Sequence, residues 1–340
     1  MTRKHLALFA GLGGFVVAAN RAGFDTVFAN DFETSCVQTL KHSFNGLKVS
    51  GTDITKLSVE KELANVGPID LLSGGFPCQS FSNAGNNLGF EDPRGQLFFE
   101  IVRICKEMKE PPKVLLLENV SFLKIFDSGS RLSTVLHHLR LAGYWVSINN
   151  ALIINSRELC GAPQNRERLF IIAYHSKYFK KNYFGDMPKI SQKRIPLWDV
   201  VNRNKRANID YLPEENKYAR MIRKASLDGG LDRLYQIRRV EARTCPEDTC
   251  PTLTANMGAG GHNVPFLIDD FGVRKLTVEE CLALQGYRPG EIKFPNEMVN
   301  SQKYSMIGNA IYAGVAEAIM KSIDYSLMKG SNNDKLVLSA

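Results

Sequence analysis

The stretch LALFAGLGGF (Leu6–Phe15) begins with a short apolar run and ends in a turn that contains three glycines. Glycine lets the backbone turn sharply and approach a ligand closely, and the N-terminus of the following helix favours polar or negative groups. The order strand, glycine turn, helix therefore predicts the first unit of an α/β sheet that binds a nucleotide-like cofactor. The stretch is not a complete GxGxxG, so it does not identify that cofactor.

Outward from this stretch, strand-like and helix-like segments alternate as far as Tyr174. The strand-like segments are Thr26–Asn30, Ile69–Leu72, Val114–Leu117, Trp145–Ile154 and Leu169–Tyr174, and the helix-like ones are Phe15–Arg21, Glu33–His42 and Gly95–Glu110. Short, fully apolar runs are typical of parallel strands that are buried on both faces. The pattern predicts a Rossmann-like, doubly wound, mostly parallel α/β sheet.

The pattern of apolar and polar residues changes after the last of these strands. From His175 to Gly272 periodicity is poor and loops dominate, and order returns in Arg274–Tyr287, where Thr277 and Glu280 form a capping box. Ile307–Ile323 is typical of an amphipathic C-terminal helix. We therefore predict a discontinuous cofactor-binding and catalytic domain, residues 1–176 plus 300–340. Residues 177–299 would form a second, smaller, loop-rich domain.

The positive charge of the chain is concentrated in its middle. The net charge is +8, and residues 177–243 contain 17 Lys and Arg against 8 Asp and Glu. Such a window favours a polyanion-binding module over an ordinary solvated surface, which usually mixes both signs. Seven scattered cysteines indicate a reducing compartment, and we expect neither a metal site, a signal peptide nor a membrane span.

Two acidic residues follow strand ends near the glycine turn. Asp31 lies 20 residues after Gly11, where a carboxylate can accept both hydroxyls of a ribose, and Asp53 follows the next β segment and could accept an adenine amino group. Either residue could instead cap a helix. The two acids fit NAD and S-adenosylmethionine equally well.

A second group of residues points to chemistry at the same edge of the sheet. Cys78 follows the Ile69–Leu72 strand, and a thiolate there would be a nucleophile; Glu118 ends the next strand, where a carboxyl could donate a proton to a ring nitrogen. Arg166 and Arg168 are two apart, on one face of an extended chain, and could grip a carbonyl oxygen and a phosphate. Taken singly, each has an ordinary structural alternative: Cys78 could be a buried small hydrophobic residue, Glu118 a helix cap, and the two arginines a surface pair.

Together these residues resemble the cytosine-C5 DNA methyltransferase family of the compact bacterial type. The resemblance rests on motifs that occur in the family's order: FAGLGG, ANDFE, TDI, GGFPCQSFS, GFEDPRGQLFFEI, ENV, PQNRERLF, RKLTVEECLALQGY and SQKYSMIGNA. It covers nearly all of the chain except about residues 177–245. It implies the S-adenosylmethionine-dependent methyltransferase fold with a target-recognition domain.

The resemblance implies a role for each catalytic candidate. Cys78 would attack cytosine C6 and so make C5 nucleophilic, Glu118 would hold N3 and the exocyclic amine, and Arg168 would hold O2 with support from Arg166. Gln79 and Ser82 would belong to a closing loop, with Ser82 near a DNA phosphate. No metal is implied.

The same resemblance implies a site for S-adenosylmethionine, which leaves as S-adenosylhomocysteine. Asp31 stands where many members carry glutamate, and the shorter acid should still reach the ribose. The implied contacts are Phe9 and Phe32 on the adenine faces, Asp31 on the ribose, Asp53 and Ile54 on the adenine edge, Gly11, Leu12, Gly13 and Gly14 near the methionine part, and Leu97 and Asn309 completing the site.

The implied substrate is double-stranded DNA, in which a cytosine must be flipped out of the stack to meet Cys78. The basic window would contact phosphates, and loop side chains would read base edges in the major groove. The candidate readers are Thr252, Thr254, Asn256, His262 and Asn263, each of which could also serve only as a hydrogen-bonding loop residue.

The sequence therefore predicts a DNA (cytosine-5-)-methyltransferase, the modification enzyme of a restriction-modification system. We expect it to act as a monomer in the bacterial cytoplasm, associated with the nucleoid through DNA. The alternatives are a tRNA cytosine-C5 methyltransferase, a catalytically inactive DNA-binding relative and, on the glycine turn alone, a nicotinamide-dependent oxidoreductase.

Overall fold

The computed structural model describes residues 2–77, 96–182, 193–260 and 262–335. The chain divides into two compact units. The first comprises Met1–Ile154, Glu167–Lys189 and Val315–Ala340, and the second comprises Asn155–Arg166 and Ile190–Gly314. The chain thus leaves the first unit twice and returns to it with its last helix.

The first unit contains an eight-stranded sheet within the described residues. Its strands are β1 (Arg3–Leu8), β2 (Phe24–Asn30), β3 (Lys48–Ser50), β4 (Leu71–Gly75), β5 (Val114–Val120), β6 (Tyr144–Trp145), β7 (Ala151–Asn155) and β8 (Glu167–His175). The order is β3-β2-β1-β4-β5-β8-β6, with β7 also paired to β8. The five neighbouring strands β3, β2, β1, β4 and β5 are parallel to one another, and β8 is antiparallel to β5.

Helices cover this sheet because their apolar side chains recur at helical spacing. The helices are α1 (Gly14–Arg21), α2 (Thr34–Ser43), α3 (Val59–Glu62), α4 (Leu97–Glu107), α5 (Phe122–Ile125) and α6 (Ser130–Leu141). Single 3-10 turns occupy Ile54–Lys56, Phe126–Gly129 and Ile148–Asn150. In α4, Phe98, Ile101 and Ile104 are fully buried in the same core as Leu72 and Leu115 of the central strands.

The second unit is built on a four-stranded antiparallel sheet, in the order β10-β9-β11-β12. Its strands are β9 (Tyr235–Arg238), β10 (Glu241–Thr244), β11 (Phe266–Asp269) and β12 (Gly272–Lys275), and its helices are α7 (Ser156–Cys160), α8 (Leu197–Val200), α9 (Lys217–Gly229), α10 (Val278–Leu284) and α11 (Asn300–Asn309), with a 3-10 turn at Ala255–Gly258. Ala219 and Ile222 of α9 pack with Tyr235, Ile237 and Phe266 of the sheet.

The last helix, α12 (Ala313–Lys335), belongs to the first unit from Val315 onward. Ion pairs join it to the N-terminal part of that unit: Arg3 Nε lies 2.7 Å from Asp324 Oδ1, and Arg21 Nη1 lies 3.4 Å from Glu317 Oε2. The described residues contain no helix long and apolar enough to cross a membrane.

The predicted fold class is confirmed, whereas two local predictions were wrong. Trp145–Ile154 is not one strand, because Ser147 and Asn150 form a capping box that closes a 3-10 turn within it. The helix predicted over Ile307–Ile323 is broken between α11 and α12, where the buried Gln285 side chain donates to Ile307 O at 2.7 Å. Loops make up most of the described part of residues 175–272, as predicted, and α9 and the strands β9, β10 and β11 lie among them.

Candidate active site and reading surface

The glycine turn after β1 forms at the carboxyl edge of the parallel strands. Phe9 has φ 51°, Gly11 φ 54° and Gly13 φ 95°. The amide of Ala10 donates to Asn30 O at 2.9 Å, and the amide of Gly13 donates to Ala10 O at 2.8 Å. Gly13 is the N-cap residue of α1 and supplies no side-chain cap, so the helix N-terminus offers backbone N–H groups to a polar ligand.

Asp31 lies beside this turn, at the end of β2. Its Oδ2 accepts the amide of Gly11 at 2.8 Å, and its Oδ1 accepts the amide of Glu33 at 3.0 Å. Burial raises the pKa of the Asp31 carboxyl, while the two amide hydrogen bonds oppose that rise. The neighbouring Phe32 ring is 62% exposed, so its face is accessible to a ligand bound beside Asp31.

The other predicted cofactor contacts lie on three different elements. Asp53 caps the Ile54–Lys56 turn, where its Oδ1 accepts the amide and the hydroxyl of Thr55, and these bonds lower the Asp53 pKa. Ile54 is buried, and Leu97 is the half-buried first residue of α4. Asn309 is the last residue of α11, in the second unit.

Sequence reasoning missed Asn30, whose buried side chain connects β2 to the segment that carries Asp53. Its Nδ2 donates to Thr52 O at 2.8 Å and to Ser50 O at 3.3 Å. An asparagine next to the predicted ribose acid was the available signal, because a buried amide at a strand end must bond to neighbouring backbone.

These residues fit S-adenosylmethionine by the chemistry of their donors and acceptors. A Cβ built on Gly11 would have no atom within 4 Å, so the turn faces open space. Around it stand a carboxylate that can accept ribose hydroxyls, an uncapped helix N-terminus and an exposed aromatic ring. All of these belong to the first unit.

Glu118 and Arg168 form an ion pair at the same edge of the sheet. Glu118 lies on β5 and is in register with Gly75 of β4, and Arg168 lies on β8. The distance from Arg168 Nε to Glu118 Oε1 is 3.0 Å, and the two side chains are 19% and 13% exposed. A pair that is mostly removed from solvent is held in one geometry by mutual attraction.

Two neighbours that sequence reasoning missed shape this pair. A Cβ on Gly75 would lie 3.1 Å from Glu118 Oε2, so the glycine leaves room for the carboxylate. Asn119 is buried, and its Nδ2 donates to Phe76 O at 3.1 Å, which ties β5 to the residue two before Cys78. Asn119 is the middle residue of the ENV motif, and that position was the available signal.

Cys78, Gln79 and Ser82 lie outside the described residues. Their assignments as nucleophile and closing-loop residues stay predictions from the sequence. The described residue nearest to them in the chain is Pro77, which follows Phe76 at the end of β4.

Arg166 is placed differently from Arg168, although the two are neighbours in sequence. Only 2% of Arg166 is exposed; its Nη1 donates to Leu253 O at 2.7 Å and its Nη2 donates to Gly308 O at 3.2 Å. These partners belong to the second unit, whereas Arg168 pairs with Glu118 in the first. The two-residue spacing predicted that both arginines lie on one face of an extended chain. It did not reveal their different partners, because those partners come from distant segments.

Gln164 completes a buried polar network with Arg166 and Gln285. Its Oε1 accepts the amide of Leu253 at 3.1 Å, and its Nε2 donates to Leu284 O at 2.9 Å and to Gln285 Oε1 at 3.1 Å. Both backbone groups of Leu253 are therefore held by buried side chains. The backbone of Thr252–Thr254 is therefore held in place at its middle residue, Leu253, by Arg166 and Gln164.

The five candidate readers differ in what they contact. The Thr252 hydroxyl donates to Asn165 O at 2.5 Å, Asn263 Nδ2 donates to Ala259 O at 3.2 Å, and the His262 ring stacks on Tyr218 with centroids 5.6 Å apart. Thr254 and Asn256 are exposed, at and within the Ala255–Gly258 turn.

A small polar hollow brings four of these readers together with β9. Its lining includes Thr252, Thr254, Asn256 and Asn263, together with Gln236 and Arg238, which sequence reasoning missed. We call Gln236, Arg238 and Thr252–Asn256 the reading surface. Within the described residues, no cluster of three or more His, Cys, Asp or Glu side chains could hold a metal ion.

Comparison with known proteins shows the family of the chain. Residues 4–325 match the family described as "C-5 cytosine-specific DNA methylase". The chain is 34% identical over 327 residues to type II methyltransferase M.Bsp6I of Bacillus sp. (strain RFL6), with 95% of this chain and 98% of the relative covered. It is 29% identical over 338 residues to type II methyltransferase M.HhaI of Haemophilus parahaemolyticus, with 95% of each chain covered.

Solved structures show the same fold at low sequence identity. A putative DNA modification methyltransferase encoded within an E. coli prophage has a TM-score of 0.70 and 21% identity, and the match covers 96% of this chain and all of that one. A mutant of Spodoptera frugiperda DNMT2 also has a TM-score of 0.70, at 18% identity, with coverage of 95% and 99%.

Proposed function

The chain belongs to the C-5 cytosine-specific DNA methylase family, and from that premise we propose how its own residues carry out the reaction. It is a DNA (cytosine-5-)-methyltransferase that uses S-adenosylmethionine. It serves as the modification enzyme of a type II restriction-modification system. The observation that carries the mechanism is the Glu118–Arg168 pair, because Glu118 is in register with Gly75, the last residue of β4, three residues before the proposed nucleophile Cys78 in the chain.

The two side chains of the pair supply complementary contacts for the Watson–Crick edge of a cytosine. One oxygen of Glu118 can accept a hydrogen bond from the exocyclic amine, the other oxygen, once protonated, can donate its proton to N3, and the Arg168 guanidinium can donate to O2. A proton donated to N3 withdraws electron density from the ring and so lowers the barrier to attack at C6. Gly75 leaves space for the carboxylate, and the ion pair keeps both groups in place before the base arrives.

Cys78 is the proposed nucleophile. Its thiolate attacks C6 of the cytosine, and the covalent bond makes C5 nucleophilic. Once C5 carries the methyl group, loss of the C5 proton restores the C5–C6 double bond and breaks the C6–S bond, which releases the Cys78 thiolate and the methylated base. Asn119 holds the carbonyl of Phe76, so the chain that leads to Cys78 starts from a fixed point. Gln79 and Ser82 are proposed to close over the flipped base, with Ser82 beside a phosphate.

S-adenosylmethionine supplies the methyl group when bound. We assign its adenosine part to Asp31, Phe32, Phe9, Asp53 and Ile54, and its methionine part to the turn Gly11–Gly14; Leu97 and Asn309 complete the site. The partly buried Asp31 carboxylate accepts ribose hydroxyls, and the exposed Phe32 ring stacks on the adenine.

We assign DNA binding to the second unit, with Thr252, Thr254, Asn256, His262 and Asn263 as candidate readers. Arg166 acts there as a positioning residue, because its bonds to Leu253 O and Gly308 O hold the backbone of the reading surface. Duplex DNA is the proposed partner, and the enzyme is proposed to act as a monomer.

The first experiment measures labelled methyl transfer from S-adenosylmethionine to duplex DNA and to tRNA, with base-resolution mapping. Label at one recurring short DNA site is expected, and label on tRNA alone would overturn the assignment of DNA as substrate.

The second experiment tests the nucleophile. DNA that carries 5-fluorocytosine at the mapped site should trap the enzyme in a covalent complex stable to denaturation, because fluorine cannot leave C5 as a proton does. Cys78→Ala should abolish both the complex and methyl transfer, whereas Cys160→Ala, a cysteine of α7, should keep both. Methyl transfer by Cys78→Ala would refute the covalent mechanism.

A further inference from the structure

The β9–β10 hairpin of the second unit has an unusual tip. Arg239 and Val240 connect the strands, and Arg238 is in register with Glu241. Arg239 has φ 54°, in the left-handed region that non-glycine residues rarely adopt, and Val240 is 89% exposed. The left-handed backbone of Arg239 motivates a functional hypothesis for this turn.

The two faces of β9 have different surroundings. Tyr235 and Ile237 point into the core of the second unit, where they pack with Ile222 of α9. Gln236 and Arg238 alternate with them and line the polar hollow on the other face. The hairpin is therefore anchored on one side and presents donors and acceptors on the other.

Two arginines on this hairpin have different electrostatic surroundings. Arg243 Nε lies 3.0 Å from Glu241 Oε1, so its charge is balanced by a carboxylate. Arg238 Nη2 donates to the amide oxygen Gln236 Oε1 at 3.2 Å, and a neutral amide orients the guanidinium without cancelling its charge. Of the three arginines of this hairpin, Arg238 is the one that lines the hollow, and its charge is available to an external acceptor there.

The hollow beside Arg238 is too small for a base. Its volume is about 30 Å³, which suffices for a water molecule. Contact with DNA must therefore occur at its rim, through the edges of stacked bases. The opposite rim, Thr252–Thr254, is held by Gln164 and Arg166, so the distance between the two rims is set by the fold.

We propose that Arg238 is a specificity-determining residue that reads a guanine of the target site in the major groove, with Gln236 orienting its guanidinium. A two-stranded ribbon fits that groove, and the arginine fork matches the O6 and N7 acceptors of guanine. This inference rests on the proposed function, since it concerns the duplex that the enzyme methylates.

The test maps methylation on a library of duplexes that covers all variants of the recognition site. Arg238→Ala and Arg238→Gln should lose roughly 5- to 150-fold of the discrimination at one guanine position and keep the preference elsewhere. Arg243→Ala is the matched control on the same hairpin, and it should keep the wild-type profile. Competition binding of the same duplexes reports the preference even where a variant turns over slowly.

An atomic version of the test replaces guanine with 7-deazaguanine, which lacks the N7 acceptor. The wild-type enzyme should lose affinity at the position that Arg238 reads, and Arg238→Ala should be insensitive to the replacement there.

Each outcome has a definite meaning. A wild-type profile for folded Arg238→Ala, or full sensitivity of that variant to 7-deazaguanine, would overturn the inference and leave the proposed function intact. Absence of DNA methylation by the wild-type enzyme would overturn the proposed function, and this inference with it.

Discussion

The strand-edge pair Glu118–Arg168 and the reading surface place polar groups in opposite ways. The pair is 13% and 19% exposed, sits on strands of the large sheet and is held by its own attraction. On the reading surface, Arg238, Thr254 and Asn256 are exposed on a hairpin and a 3-10 turn, and the support comes from buried side chains beneath the backbone.

The difference follows from what each region has to do. Attack on a cytosine ring needs two groups at fixed positions, and a packed sheet fixes them because strand register cannot slip without exposing the core. Reading of a DNA sequence needs side chains that can be exchanged between enzymes. Exposed positions over a rigid support permit that exchange, because a new side chain there disturbs no packing.

Among variants of these two regions, Glu118→Gln should have the largest effect on activity and should leave the site preference unchanged. Glutamine keeps the size of the side chain but cannot donate a carboxyl proton and loses the ion pair with Arg168, so kcat should fall roughly 10²- to 10⁴-fold. Single-turnover methylation and the library profile measure the two effects. Glu167→Gln, an exposed neighbour, is the control. A changed site preference in Glu118→Gln would break the separation between the two regions.

Arg166→Met should destabilise the protein by roughly 2–4 kcal/mol, because the carbonyls of Leu253 and Gly308 lose their buried partner. Urea unfolding measures that loss. If Arg166 positions the reading surface, this variant should also discriminate less sharply between sites when it is assayed well below its melting temperature.

Arg274→Met is the control for this second effect. Arg274 is fully buried and pairs with Asp269 and Glu280, so the loss of stability should be of similar size, roughly 3–5 kcal/mol. Its site preference should stay that of the wild type. If both variants discriminate between sites less sharply than the wild type and to the same extent, the cause is a general loss of stability and not the loss of support for Leu253.

His5→Leu should remove an acid sensitivity of the sheet that carries the strand-edge pair. The buried His5 ring bonds to Thr26 Oγ1 at 2.9 Å and to Ser73 Oγ at 2.7 Å, and burial lowers its pKa from 6.5 to about 3. The unfolded chain therefore takes up this proton first. The His5 contribution to stability is complete above pH 6.5 and is lost as the pH falls from 6.5 towards 3.

At pH 4.5 this proton uptake should cost the wild type roughly 3 kcal/mol of unfolding free energy relative to pH 7. The His5→Leu variant is less stable at pH 7 because two hydroxyls lose their partner, but it should lack this part of the decline. Urea titrations at both pH values give the comparison. Parallel declines in the two proteins would show that other groups cause the acid sensitivity.

Asp31→Asn should have the smallest effect, about 10-fold weaker binding of S-adenosylmethionine at neutral pH, or ~1.4 kcal/mol. Because burial raises the Asp31 pKa, wild-type affinity should decline at a higher pH than an ordinary aspartate would allow, as the carboxylate is protonated. Calorimetric titrations from neutral to acidic pH should show this decline in the wild type and in the exposed control Asp25→Asn. A pH-dependent affinity in Asp31→Asn would assign the titration to another group.

Prediction from sequence worked best where the signal is local. The apolar runs predicted β4 and β5, the spacing in α4 predicted its buried face, and the Thr277–Glu280 capping box is present. It failed where a buried side chain from elsewhere decides the backbone. Gln285 sits at the break between α11 and α12, and no periodicity in Ile307–Ile323 shows it.

The sequence by itself determined the family, the fold class and the residue types of the strand-edge pair, because strand ends, glycine turns and motif spacing are written along one stretch of chain. Only the tertiary structure decided that Arg168 pairs with Glu118, whereas Arg166 supports Leu253. It also decided that β9 lines the same hollow as Thr252–Asn256. The physical reason is that hydrogen bonds and ion pairs join groups that are close in space. The fold brings together Glu118 and Arg168, which are 50 positions apart in the chain, and Arg166 and Leu253, which are 87 positions apart.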